Sequence, residues 1–188
     1  MKLIFTFFVI FTAFTVFSIS QTQRPYNFQE RNKSDKPRLV AEFLQQELSV
    51  IPGEQLYKAQ DLWEQSGAKK IKIDAPIGSA KSKDFIKNIT IEDAGTVVEG
   101  FKKVVYNGKN ETIIGITITT TLDKGDFFLE KFVDLNGQYE PINSTSKSIV
   151  SQGNYFFDDY IIKATEYTND TIDLNITKNP QFNLNRNR

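Results

Sequence analysis

The chain has 188 residues, with 23 basic and 23 acidic side chains and hence no net charge at pH 7, and it contains neither cysteine nor histidine. Balanced charge without a basic stripe argues against nucleic acid and anionic membrane surfaces as partners. The missing residue types exclude disulfides, thiolate or imidazole nucleophiles and metal sites built from them, so no cofactor, metal or catalytic residue is expected and the chain is read as a non-enzyme.

Residues 1–20 read as a secretory signal: Lys2 is a basic start, Leu3 to Phe17 is apolar apart from three threonines, and Ser18-Ile19-Ser20 supplies small residues for cleavage before Gln21. No later run is long and apolar enough to span a bilayer, so a secreted, extracellular product is expected. Residues 21–33 are polar and aperiodic, a loose arm, and residues 34–178 form one domain with no repeat or long linker. Residues 179–188 are an Asn- and Arg-rich tail expected to fray.

Ser34-Asp35-Lys36-Pro37 places a capping residue and a first-turn proline before Leu39, Val40, Phe43, Leu44 and Leu48, which predicts a helix from Lys36 to Ser49. Ile51-Pro52-Gly53 interrupts it. A second helical pattern with Leu56, Ala59, Leu62 and Trp63 ends at Gly67, a residue suited to the left-handed position after a helix; the two patterns are two short helices or one broken long one.

Beyond Ala68 the apolar period falls to two. Lys69 to Asp74 is a short strand candidate, and Asp84 to Asp93 carries Ile89 and Ile91 on one side. Thr96 to Tyr106 precedes Asn107-Gly108, a hairpin turn signal. The return strand, Glu111 to Leu122, then places Ile114, Ile116, Ile118 and Leu122 on one face and Thr117, Thr119 and Thr121 on the other.

Asp123-Lys124-Gly125 reads as a turn into a strand from Asp126 to Leu135, in which Phe127, Leu129, Val133 and Leu135 alternate with Phe128, Glu130, Phe132 and Asp134. Asn136-Gly137 is another turn. Ile149 to Tyr167 is read as one long or bulged strand with Gly153 as the bulge, and a last strand carries Ile172, Leu174 and Ile176. The whole is an α+β fold, helices first and an antiparallel sheet after.

The strand from Glu111 to Leu122 would extend about 40 Å, whereas a helix from Lys36 to Ser49 reaches only about 21 Å. One helix cannot cover that face. A second helix, a further sheet layer or a bound apolar ligand must lie over the rest.

Fourteen asparagines with this Ser/Thr content would produce about two Asn-x-Ser/Thr sequons by chance; the chain has six, at Asn32, Asn88, Asn110, Asn143, Asn169 and Asn175. All six are candidate glycosylation sites in an exported protein. The competing reading is that an Asn- and Thr-rich chain generates idle sequons.

Ile86-Lys87-Asn88-Ile89-Thr90-Ile91-Glu92-Asp93-Ala94-Gly95, followed by Phe101-Lys102-Lys103-Val104-Val105 and the Ile/Thr strand, resembles the arthropod takeout and juvenile-hormone-binding proteins and the mite group 7 allergens. Val133-Asp134-Leu135-Asn136-Gly137-Gln138-Tyr139 looks like that group's L-x-G-x-Y strand, and Gln152-Gly153-Asn154-Tyr155-Phe156 like its G-x-G-x-F strand, with Gln152 in place of the first glycine. The likeness covers roughly residues 39–176. It implies a TULIP-like half-barrel, a curved antiparallel sheet around a helix, enclosing a lipid, terpenoid or hormone-like ligand. The takeout type's cysteine pair is absent, and the chain stops soon after Ile176, where relatives add a long helix.

The expected function is therefore non-catalytic binding or transport of a hydrophobic small molecule, with an extracellular receptor as a possible protein partner. The binding wall would be Leu39, Val40, Phe43, Leu44, Leu56, Leu62 and Trp63 on the helices, with Ile89, Ile91, Ile114, Ile116, Ile118 and Leu122 on the sheet. The alternative is an extracellular recognition or structural glycoprotein with a filled core and no ligand.

Overall fold

The computed structural model describes residues 36–78, 85–135 and 137–180, with side chains from Val40 onward in the first helix. The expected signal and arm, Asn136 and residues 181–188 lie outside them.

Helix α1 (Lys36–Leu48) and helix α2 (Leu56–Gln65) are separate. The segment between them is drawn away from a helical path by pairing with the sheet: the Gly53 N–H donates to the Ile113 carbonyl at 2.7 Å and the Ile113 N–H to that of Glu54 at 2.8 Å. Gly53 takes φ +100°, and Gly67 takes φ +92° beyond α2, conformations that cost glycine little.

Eight strands follow among the described residues: β1 (Ile71–Ile73), β2 (Ile86–Ile91), β3 (Phe101–Lys109), β4 (Thr112–Thr121), β5 (Gln138–Pro141), β6 (Ile149–Phe156), β7 (Tyr160–Tyr167) and β8 (Thr171–Lys178), with helix α3 (Leu122–Asp134) between β4 and β5. They form a single antiparallel sheet in the order β1-β2-β3-β4-β8-β7-β6-β5. Two four-strand meanders thus meet along β4 and β8. The architecture is α+β.

Register brings the apolar residues into two continuous rows on one face. The first runs Ile73, Ile89, Tyr106, Ile116, Ile176, Ile162, Tyr155, Tyr139 from edge to edge; the second runs Ile71, Ile91, Val104, Ile118, Leu174, Ala164, Gly153, Pro141. Because side chains alternate along a strand, one register error would turn a whole row outward. All three helices lie on this face. Gly153 is small because the Tyr139 ring lies over it, where an added Cβ would stand 2.2 Å from Cε2.

The segment expected to be a strand from Asp126 to Leu135 is part of α3. Its buried residues are Gly125, Phe128 and Phe132, spaced three and four apart, whereas Phe127, on the side the alternation would bury, is 38% exposed. Gly125 is no turn: an added Cβ there would stand 2.5 Å from Ile172 Cδ1, so its smallness lets the helix lie down on β8. Asp123 in the first turn and Lys131 in the last complement the helix dipole.

The β3–β4 turn also moves. Asn107 and Gly108 lie inside β3, and Lys109 faces Thr112 across a turn made by Asn110 and Glu111, at φ 52° and 62°. Two adjacent positive φ values are what a two-residue hairpin of primed type demands, and Asn110 also accepts the Phe85 N–H at 3.0 Å. Gly108 instead serves packing, since a Cβ there would lie 2.8 Å from Leu56 Cδ2.

Register slips between Asn107/Gly115 and Gly108/Ile113, leaving Ile114 as an extra residue in a bulge. Ile113 is therefore buried and Ile114 is 48% exposed. The expected single strand from Ile149 to Tyr167 is the β6–β7 hairpin, turned at residues 157–159, and its irregularity falls between Ile149 and Ser151 instead of at Gly153.

Candidate functional site

The residues expected to wall a ligand cavity come together, but against one another. Val40, Leu44, Leu56, Trp63, Ile89, Ile91, Ile116 and Ile118 are buried in one core, and Phe43, Leu62 and Leu122 pack half-buried on it. Ile114 is outside, in the bulge, and Leu122 opens α3 instead of closing β4. The side chain of Leu39 lies outside the described residues.

Over the middle of the sheet the space is occupied by aromatic rings that the alternation reading missed. Phe132 lies 5.7 Å from Tyr155 and 6.1 Å from Phe157, centroid to centroid, and Phe43 of α1 meets Phe128 at 5.8 Å and Phe132 at 6.0 Å edge-on. These are favourable aromatic geometries in a packed interior. The third helix lies over part of the face whose coverage the length of β4 put in question, with Gly125 seated on Ile172 and Phe132 on Tyr155.

Among the described residues a cleft lies where the end of α1 meets α2 and the residues leading into β3. It holds about 80 Å³ and is lined by Glu47, Leu48, Ser49, Leu62, Trp63, Ser66, Val97, Val98 and Phe101. Val97, Val98 and Phe101 are not in the wall expected from the sequence, because their apolar run is interrupted by Glu99 and Gly100. At the rim the Glu47 carboxylate stands 3.8 Å from Lys124 Nζ, which also lies 5.2 Å from the centre of the Phe127 ring and 5.4 Å from that of Phe128.

Trp63 is fixed in the cleft floor. Its Nε1–H donates to the Tyr106 hydroxyl at 2.9 Å, both groups buried. Burial pushes the Tyr106 hydroxyl up to about 12, against the smaller downward pull of that hydrogen bond.

The other face of the sheet is polar. Thr117 lies opposite Asn175 and Thr119 opposite Asp173, with Lys163 and Thr165 next across in β7. Asn175 Nδ2 donates to Thr117 Oγ1 at 2.9 Å, Gln152 Nε2 to Thr165 Oγ1 at 2.8 Å, and the Tyr167 hydroxyl to Asp173 Oδ2 at 3.1 Å. The threonine side of β4 is where the period of two put it for Thr117 and Thr119.

Sequons divide by place. Asn110, Asn143 and Asn169 are exposed in turns or loops, whereas Asn88 and Asn175 are half-buried on the polar sheet face. Asn32 lies outside the described residues. Among the described residues no group of three acidic, His or Cys side chains is placed to hold a metal ion, and no helix is long and apolar enough to cross a membrane. No family model, curated protein or solved structure matches the chain.

Proposed function

We propose that this chain is a non-catalytic extracellular recognition domain with a filled core, meeting its partners through its surface. One observation supports this above others: among the described residues the aliphatic wall pictured around a ligand is packed on itself and on Phe128 and Phe132, and the cleft beside Trp63 holds about 80 Å³. Pockets for lipid-sized molecules run to roughly 300–1,000 Å³. The polar sheet face, with its rows of hydroxyls and amides, is the broad surface available for contact. Export through residues 1–20 and glycosylation at Asn110, Asn143 and Asn169 belong to the same reading, since turns present their asparagines to solvent.

A second reading keeps the likeness to takeout, juvenile-hormone-binding and mite group 7 proteins, with a TULIP-like half-barrel and carriage of a hydrophobic small molecule. The cleft favours it by its character: Leu48, Leu62, Trp63, Val97, Val98 and Phe101 give an apolar floor with one carboxylate at the rim. A lipid would have to part α1 from α2 to enter.

Native mass spectrometry of the protein from its own source, before and after organic extraction, separates the two, together with fatty-acid titration followed by Trp63, the chain's sole tryptophan. An unliganded mass and unchanged fluorescence are expected. A bound apolar mass removed by extraction, or saturable quenching, overturns the filled-core reading in favour of carriage. Glycosidase treatment should shift the mobility of native material, and the shift should shrink when Asn110, Asn143 and Asn169 are all changed to Gln.

A further inference from the structure

The two edges of the sheet are built differently. Along β5 the Ile142 N–H donates to the Gln152 carbonyl at 2.8 Å, so alternation directs Tyr139 and Pro141 away from β6. Proline has no N–H to offer, and it ends that edge as a pairing template. Along β1 the Asp74 N–H donates to the Asn88 carbonyl and the Glu92 N–H to that of Lys70, both at 3.0 Å. Ile71 and Ile73 therefore turn both backbone groups outward, with no proline between them.

This second edge is also where the apolar rows run off the sheet. Ile73 is 42% exposed and Ile77, which continues the edge by bridging to Ile86, is 71% exposed. Asp93 braces the entry to β1: its carboxylate accepts the Lys69 N–H at 2.9 Å and the Lys70 N–H at 3.2 Å, which holds it below the ordinary carboxylate range. A braced edge with outward hydrogen-bonding groups and exposed isoleucines has the features of a strand that can accept another.

The segment Lys70-Ile71-Lys72-Ile73-Asp74 is self-complementary when read in both directions. We infer that β1 pairs antiparallel with β1 of a second copy of this chain about a twofold axis through Lys72. Ile71 then faces Ile73 of the other copy, joining the apolar rows of the two sheets, and Lys70 faces Asp74 of the other copy twice. The two Lys72 side chains meet at the axis, and each is 3.7 Å from its own Asp74 carboxylate, which tempers the repulsion. Twofold self-pairing of this sort closes on itself and does not propagate into fibres. The contact is small for a stable dimer, so association is weak and concentration-dependent.

Sedimentation velocity of the full chain over a wide concentration range tests this, with circular dichroism of every variant to show that the fold is kept. The wild type is expected to shift from monomer toward dimer as concentration rises. Lys70→Glu should raise the dissociation constant by about tenfold by setting like charges opposite each other, and adding Asp74→Lys should restore it. Ile73→Pro, which removes an outward N–H, should abolish the dimer. A single monomeric species at all concentrations overturns the proposal, as does a dimer that Lys70→Glu and Ile73→Pro leave intact.

Discussion

Trp63 and Tyr106, 43 positions apart in the chain, meet in the interior through a 2.9 Å hydrogen bond from the indole N–H to the phenol oxygen. The bond ties α2 to the third strand of the sheet at the floor of the cleft. A buried indole N–H or phenol O–H without a partner costs more than the bond itself is worth, so the pair acts as one unit.

Removing both members should therefore cost less than the sum of removing each alone. Trp63→Phe is expected to cost about 3 kcal/mol or more, combining lost volume with a stranded hydroxyl. Tyr106→Phe alone should cost about 1–3 kcal/mol. In a double-mutant cycle by urea denaturation the combined variant should fall short of the sum by at least about 0.5 kcal/mol. Strict additivity would show that the two groups are not coupled.

The same tyrosine sets an alkaline limit on stability. Its hydroxyl titrates at about 12 in the fold, against an ordinary value near 10 in the unfolded chain. Between those values the unfolded state has lost its proton while the folded state keeps it, so stability is full below about pH 10 and falls as pH rises toward about 12. The loss attributable to Tyr106 is on the order of 2–3 kcal/mol. Tyr160 and Tyr167 are also raised, chiefly by burial, and act in the same direction. Denaturation curves across this range should be flatter in Tyr106→Phe than in the wild type; equal slopes would argue against the assignment.

On α3, neighbouring phenylalanines should behave oppositely. Phe128→Ala and Phe132→Ala empty the aromatic cluster and are each expected to cost about 3–5 kcal/mol. Phe127, largely at the surface under Lys124 and Lys131, should cost about 1 kcal/mol or less as alanine. Were the segment an alternating strand with Phe127 inside, the order would reverse.

The bulge in β4 makes an equally sharp contrast between two isoleucines. Ile116→Ala should lower stability by about 2–5 kcal/mol, whereas Ile114→Thr, in the exposed bulge, should stay within about 0.5 kcal/mol of wild type. Thermal unfolding of the two variants decides it.

Much of this architecture was legible in the chain. The breaks at Ile51-Pro52-Gly53 and Gly67 marked the first two helices, and period-two runs around Ile89, Ile116 and Leu174 marked strands whose inner faces are the ones buried. Those signals are local, because turn residues and alternating burial act through the geometry of a few adjacent residues. They also placed Thr117 and Thr119 on the polar face.

Three features depended on contacts distant in sequence. Phe127-Phe128-Leu129 suits a strand or a helix by periodicity, and only the seat of Gly125 on Ile172 and of Phe132 on Tyr155 selects the helix. Asn107-Gly108 is a turn signal overridden because Leu56 fills the space where a Cβ at position 108 would stand, while Asn110 and Glu111 bear the turn. The site was decided the same way: composition and period named Val40, Leu44, Ile116 and Ile118 as an apolar wall, and that much the sequence determined by itself. Which side chains of that wall meet one another depends on how closely helices and sheet approach. That distance is set by interlocking side chains from all three described helices and six strands, so only the tertiary structure decided it.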